Sequence, residues 1–310
     1  MTSPLQAPGS DREPATGRAA GVAAALGAVA IWAGWIPVTR MAVVTRLSPA
    51  DVAALRFATS ALVLAPLLVA RWREVPWRRP WPLLAMLVGA GVPYFLLFAY
   101  GLRLANSGQG AVLGPGATSV FGAVLAWLAA GERPRGRRLA GLAVTTAGIG
   151  VVVLHDLAGG GGRSAGFGLI LAASFGWAAY TAASRVLMLR PALNAATVAV
   201  GNALVFVPLY LVAGGAARLA AVPPAQLALQ VFYQGILAAV VALIAYAFAI
   251  HRLGAAAAAS FAPLTPVLVA LFGWLLLGDT VDAATAAGLA AVAAGVVVAN
   301  GGVAALTARR

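Results

Sequence analysis

The chain has 310 residues, of which 62% are hydrophobic and only 9% charged, with a mean hydropathy of +0.93. That balance excludes a water-soluble domain, in which about a quarter of residues are charged. The absence of cysteine excludes disulfides, thiolate nucleophiles and Cys-based metal sites. The net charge of +13 is carried by arginines set between apolar segments, which is not the basic face of a nucleic-acid-binding module.

In chain order, residues 1–18 are polar and rich in Pro and charge (Pro4, Pro8, Asp11, Arg12, Glu13, Pro14, Arg18) and read as a disordered tail rather than a cleaved signal. Windows of about 20 apolar residues, enough to cross roughly 30 Å of hydrocarbon, then fall at 20–40, 49–70, 81–103, 108–130 and 137–155. A second set follows at 166–187, 194–215, 227–252, 256–278 and 283–305, with a short tail at 306–310. The expectation is an all-α integral membrane protein of ten transmembrane helices whose surroundings are the lipid bilayer. A transmembrane barrel would need alternating polarity, and Ala284–Val298 has none.

The arginines order these segments across the membrane. With a cytoplasmic amino terminus, 15 of the 21 fall on the cytoplasmic side, and only Arg40, Arg46, Arg103, Arg163 and Arg218 face the other way. Basic residues in short loops are retained in the cytoplasm, so both termini are expected inside and the helix number even. Arg56 is the exception, because it lies inside the second helix. Trp72, Trp77 and Trp81 flank an Arg cluster and read as interfacial anchors.

The two sets of five helices repeat each other. Trp32 and Arg40 align with Trp177 and Arg185 at an offset of 145, and Pro49 and Pro66 with Pro191 and Pro208 at 142. Trp127, Gly131, Gly141 and Gly148 align with Trp274, Gly278, Gly288 and Gly295 at 147, with Glu132 opposite Asp279. Scarce residues recurring in order at a nearly constant offset mark a duplication. Five is odd, so the second copy enters from the other side and the repeats are inverted, an architecture suited to alternating access around a midplane site. The expected units are repeats at 19–156 and 166–305 joined by a Gly-rich linker at 157–165.

Three features carry a resemblance to a known family: the Trp of helices 1 and 6 (Trp32, Trp177), the run Ser48-Pro49 to Arg56 opening helix 2, and the closing segments of helices 4 and 9. Those segments read Leu-Ala-Trp-Leu-Ala-Ala-Gly-Glu-Arg-Pro at 125–134 and Pro-Leu-Thr-Pro-Val-Leu-Val-Ala-Leu-Phe-Gly-Trp-Leu-Leu-Leu-Gly-Asp at 263–279. The chain resembles the drug/metabolite transporter superfamily, specifically its EamA-type ten-helix permeases. It departs in having Asp279 where a Glu is usual and Val198 opposite Arg56. The resemblance implies a multi-pass protein of a bacterial inner (plasma) membrane that moves small organic molecules, as an exporter of amino acids or of aromatic or cationic metabolites. It also implies a cavity lined by helices 1, 3, 4, 6, 8 and 9, with helices 5 and 10 peripheral. Oligomeric state is left open, a monomer included.

Candidate substrate contacts follow from residue type and spacing. Trp32 and Trp35 sit three apart on helix 1, as do Trp177 and Tyr180 on helix 6, so each pair shares a helical face. Aromatic faces hold apolar, cationic and zwitterionic ligands, and the competing reading is plain bundle packing. Tyr94 and Tyr246 are weaker candidates of the same kind. Near Pro115, Pro263 and Pro266, which free backbone carbonyls, stand Thr118, Ser119, Ser260 and Thr265; their hydroxyls either face the cavity or bond back to their own helices. Arg56 can meet a substrate carboxylate, pair structurally with Asp51, or snorkel to the interface. Glu132, Asp279 and Asp282 read as caps of helices 5 and 10. His155 and His251 show no ligand spacing, no cofactor is expected, and no acid falls in the middle third of a helix, which favours facilitated diffusion or exchange over proton coupling. An intramembrane enzyme would need paired aspartates, a Ser with a His, or His-Glu-x-x-His; none is present. A scramblase or a non-transporting subunit shares this composition.

Overall fold

Uninterrupted apolar sequence in lipid has to satisfy its own backbone, and helices do so. The computed structural model describes residues 15–299, which are helical without a strand. The spanning helices are α1 (Ala15–Thr45), α2 (Pro49–Arg71), α3 (Pro80–Leu104), α4 (Ser107–Ala129), α5 (Gly136–Ala158), α6 (Ser164–Leu187), α7 (Pro191–Val212), α8 (Pro224–Leu253), α9 (Ala257–Leu277) and α10 (Ala283–Ala299). Among the described residues nine are long and apolar enough to cross a membrane, and α10 is a shorter apolar helix. The tails expected at 1–18 and 306–310 lie outside the described residues, except that Ala15–Arg18 already belong to α1. The linker is also tighter than expected, since α5 runs to Ala158 and α6 starts at Ser164.

Local chemistry sets the ends. Ser48 and Asp51 form a reciprocal capping box with Pro49 in the first turn of α2, and Asn106 and Gln109 do the same for α4. Helices α4 and α9 both end at a left-handed glycine, Gly131 (φ +69°) and Gly278 (φ +65°), a conformation in which a Cβ is strained. The repeated glycine-acid ending is therefore a helix stop that presents an acid just beyond it. Asp282 caps α10 as expected, accepting from the Thr285 N–H at 2.7 Å; this bond favours its ionised form and holds its pKa below the ordinary carboxylate value. Glu132 and Asp279 do not cap α5 and α10 as expected: Glu132 is exposed, and Asp279 is engaged by Arg40.

Packing obeys the inverted repeat. Exchanging α1 with α6, α2 with α7, α3 with α8, α4 with α9 and α5 with α10 maps the main contacts onto one another: α1–α8 onto α3–α6, α1–α9 onto α4–α6, and α2–α7 and α5–α10 onto themselves. The α5–α10 contact is the most extensive and uses small faces as the sequence indicates; a Cβ on Gly141 would strike the Gly295 carbonyl, and one on Gly148 would lie 2.6 Å from the Ala291 Cβ.

Two interruptions were not legible as such: α3 breaks at Ala90–Gly91, and α8 carries π-helical turns over Val231–Val241. A third, the turn of α9 at Ser260–Pro263 ahead of its long segment Leu264–Leu277, falls at the prolines read as freeing backbone carbonyls. The α3 break is repaired from α7, where Asn202 Oδ1 accepts from the Val92 N–H at 2.8 Å and Asn202 Nδ2 donates to the Leu87 carbonyl at 3.1 Å. A side-chain amide thus replaces helix partners that lipid cannot supply.

Candidate functional site

Between the repeats lies a cavity of about 610 Å³, within the size range of small-molecule sites. Of the eleven residues singled out from sequence, Trp32, Trp35, Arg56, Tyr94, Thr118, Ser119, Trp177, Tyr180 and Thr265 line it. Tyr246 and Ser260 do not. The Tyr246 ring packs edge-on against Trp32 at 5.2 Å and is not part of the lining. Ser260 is exposed in the turn of α9 and donates to its own Ala257 carbonyl at 2.6 Å.

The aromatic faces expected from helices 1 and 6 are joined by a third element. Tyr94 of α3 lies parallel to Trp35 (11° between planes, centroids 6.4 Å apart) and 5.0 Å from Trp177, which in turn meets Tyr180 at 5.1 Å. Phe98, one turn beyond Tyr94, adds a contact to Trp35 at 5.1 Å. The result is a continuous aromatic wall crossing from one repeat to the other. Such rings offer stacking and cation–π surface of about 0.5–2 kcal/mol per contact.

The hydroxyls divide. Ser119 donates to the Pro115 and Gly116 carbonyls at 3.1 and 2.8 Å, bonding back to its own helix beside the π turn over Val112–Gly116. Ser174 donates to Ile170 and Leu113 at 2.8 and 3.2 Å, and Ser60 to Arg56 at 2.6 Å. Thr118 instead reaches the Ser174 carbonyl of the neighbouring α6 at 3.5 Å. Each of these hydroxyls, all in residues of the lining, thus donates its proton to a backbone carbonyl.

Helix α2 was not among the helices expected to line a site, nor was α7 or α10. All three do: Arg56, Phe57, Ser60 and Leu64 come from α2, Ala195, Val198 and Ala199 from α7, and Val292 and Val296 from α10. Of these, α2 and α7 pack against each other. α5, by contrast, adds nothing to the lining.

The expected pairing of Arg56 with Asp51 is absent. Five residues put Asp51 about 140° around the helix and about 7.5 Å along it. There it accepts from Tyr210 at 2.6 Å and from Arg218 at 3.3 Å while capping α2. Arg56 meets Gln234 of α8 instead, donating from Nη1 to Oε1 at 3.2 Å. The same Oε1 accepts from Trp35 Nε1 at 2.7 Å, and Gln234 Nε2 donates to Thr39 and to Gln230 at 2.9 and 3.3 Å. Gln234 is fully buried and anchors the site without lining it. Its signal was present in the sequence as two amides, Gln230 and Gln234, one turn apart in an apolar run.

One end of the bundle is tied by ion pairs that cross between repeats. Arg40 Nη1 lies 2.6 Å from Asp279 Oδ1 and Arg40 Nε donates to the Ala105 carbonyl at 2.8 Å, while Asp279 Oδ2 accepts from the Ser107 N–H at 2.9 Å. The Asp51–Arg218 pair lies at the same end. At the other end Glu132 and Arg185 are both exposed, and among the described residues the ion pair there is a local one, Arg71 with Glu74.

The sequence profile of the EamA-like transporter family matches residues 19–154 and again 164–301. A crystal structure titled only as that of a protein is 19% identical, superposes with a TM-score of 0.57, and covers 95% of this chain and 99% of its own; at that identity it shows the fold alone. No curated protein matches the chain significantly.

Proposed function

The chain belongs to the EamA-like transporter family, and from that premise we propose that it moves small organic solutes by alternating access, as an exporter of amino acids or aromatic metabolites. The observation that carries this is the aromatic wall Trp35–Tyr94–Trp177–Tyr180, built from the equivalent helices α1 and α6 together with α3 around one cavity. A rearrangement of one repeat against the other would re-expose that wall at the opposite end. The unequal ends support this, one tied by Arg40–Asp279 and the other with its equivalents apart. Among the described residues no Asp or Glu lines the cavity, which supports facilitated diffusion or exchange rather than proton coupling through a carboxylate. The arginine distribution supports cytoplasmic termini.

The test is counterflow by the purified protein in liposomes, with labelled amino acids and aromatic metabolites. Accumulation of label driven by an unlabelled internal pool is expected; its absence for every solute, with lipid flipping measured in parallel, would leave a lipid-handling protein.

A further inference from the structure

Among the described residues the cavity lining holds one formal charge, that of Arg56, and no carboxylate neutralises it. Arg56 projects from α2 into the lining, and among the described residues no carboxylate lies within ion-pair distance of it. A guanidinium carries five N–H donors; the Gln234 amide takes one of them, at 3.2 Å. Its other neighbours are rings, with Trp35, Phe95 and Phe57 centroids 5.6, 5.8 and 6.0 Å from Cζ. Rings soften the burial of a cation but supply no counter-charge.

Burying an unpaired charge is costly, and a partner that removes the cost binds with that energy. We propose, resting on the transporter reading above, that the cargo carries a carboxylate that seats on Arg56, with its aromatic or apolar body along Trp35, Tyr94 and Trp177. Cations without an anionic group are then not cargo. Three features fix this assignment. Gln234 cannot swing away, because its Oε1 also holds Trp35 and its Nε2 is spent on Thr39 and Gln230. The planar fork of the guanidinium matches a carboxylate with two parallel bonds. Beyond it, the oxygens of Ser60, Ser119 and Ser174 have donated their protons to backbone carbonyls, so they can accept from an α-ammonium group but give nothing to an anion. Val198, the repeat counterpart of Arg56, also lines the cavity and is apolar. The site is therefore charged on one side, and the body of the ligand has one preferred direction.

Phenylalanine, N-acetylphenylalanine, phenylalaninamide and phenethylamine separate the charges on one body. They are compared as competitors of labelled phenylalanine counterflow and by the rise in unfolding temperature of the detergent-purified protein. Hydrogen bonds to charged groups contribute about 1.5–3 kcal/mol, so the two acids should bind at least roughly tenfold more tightly than the amide and the amine. In Arg56→Gln that ratio should collapse to about twofold or less, while the ligand-free variant unfolds no lower than the native protein, an outcome a structural arginine would not give. Gln234→Glu places a carboxylate within the protein, and the acids should then weaken by tenfold or more. Competition by the amide and amine equal to that of the acids overturns the proposal, as does a Gln234→Glu protein that binds the acids unchanged. Movement of other solutes with no response to either acid overturns it and spares the transporter reading, whereas absence of all flux defeats the latter.

Discussion

Arg40 and Asp279, one from each repeat, hold each other at 2.6 Å, whereas Arg185 and Glu132, which occupy the same positions in the opposite repeats, are exposed and form no pair. Asp279 is 8% exposed and Arg40 19%, so the contact is screened far less than a surface pair. Asp279→Asn or Arg40→Gln should cost about 1–3 kcal/mol at this end, shifting closure roughly five- to a hundredfold. The natural chain has no cysteine, so a single Ile36→Cys, one turn below Arg40 in the lining, reports it. Its labelling by an impermeant maleimide should accelerate in either variant; an unchanged rate would show that the pair does not hold that end shut.

The counterpart positions make the complementary prediction. Glu132→Gln removes an exposed charge, and its unfolding temperature should match the native protein, as for most surface substitutions. If Glu132 and Arg185 meet when the bundle opens the other way, the double variant Glu132→Cys, Arg185→Cys should cross-link on oxidation during turnover and arrest counterflow, with activity restored by reduction. Cross-linking without loss of flux would place that contact outside the transport cycle.

The aromatic wall should govern affinity more than assembly. Trp35→Ala and Trp177→Ala each remove contacts worth about 0.5–1.5 kcal/mol beyond area burial, so KM for an aromatic cargo should rise about three- to tenfold at similar expression. Trp32→Ala should act likewise but less, because its ring is shared with Tyr246. Trp81, 77% exposed near a helix start, serves as the control, and Trp81→Ala should leave KM unchanged.

What the sequence disclosed and what it concealed separate along physical lines. Ten helices and the inverted repeat were legible because lipid imposes length and apolarity on every segment and duplication left Trp127, Gly131 and Glu132 in register with Trp274, Gly278 and Asp279. Trp32, Trp35, Trp177 and Tyr180 were legible because helical spacing fixes their common faces. The Arg56 environment was not, since helix spacing says nothing about which neighbouring helix supplies Gln234. The role of Asp279 was hidden for the same reason: its position before α10 reads as a cap, and its partner lies 239 residues away.

The break in α3 was hidden too, and it yields the sharpest stability prediction. Residues 81–103 read as one apolar run, but the chain turns extended at Gly91 and leaves the Val92 N–H and the Leu87 carbonyl to Asn202. Asn202→Leu keeps the branching at Cγ and removes both partners, at about 1–3 kcal/mol for each stranded group. The loss is not confined to folding, because the second segment of α3 begins at Val92 and carries Tyr94 and Phe98 into the aromatic wall. The variant should therefore unfold at a lower temperature and also bind aromatic cargo more weakly. Asn202→Asp keeps the acceptor for Val92 but replaces the donor to Leu87 with an oxygen, so it should recover part of the lost stability and no more. A leucine variant with native unfolding temperature would show that α3 repairs its own break.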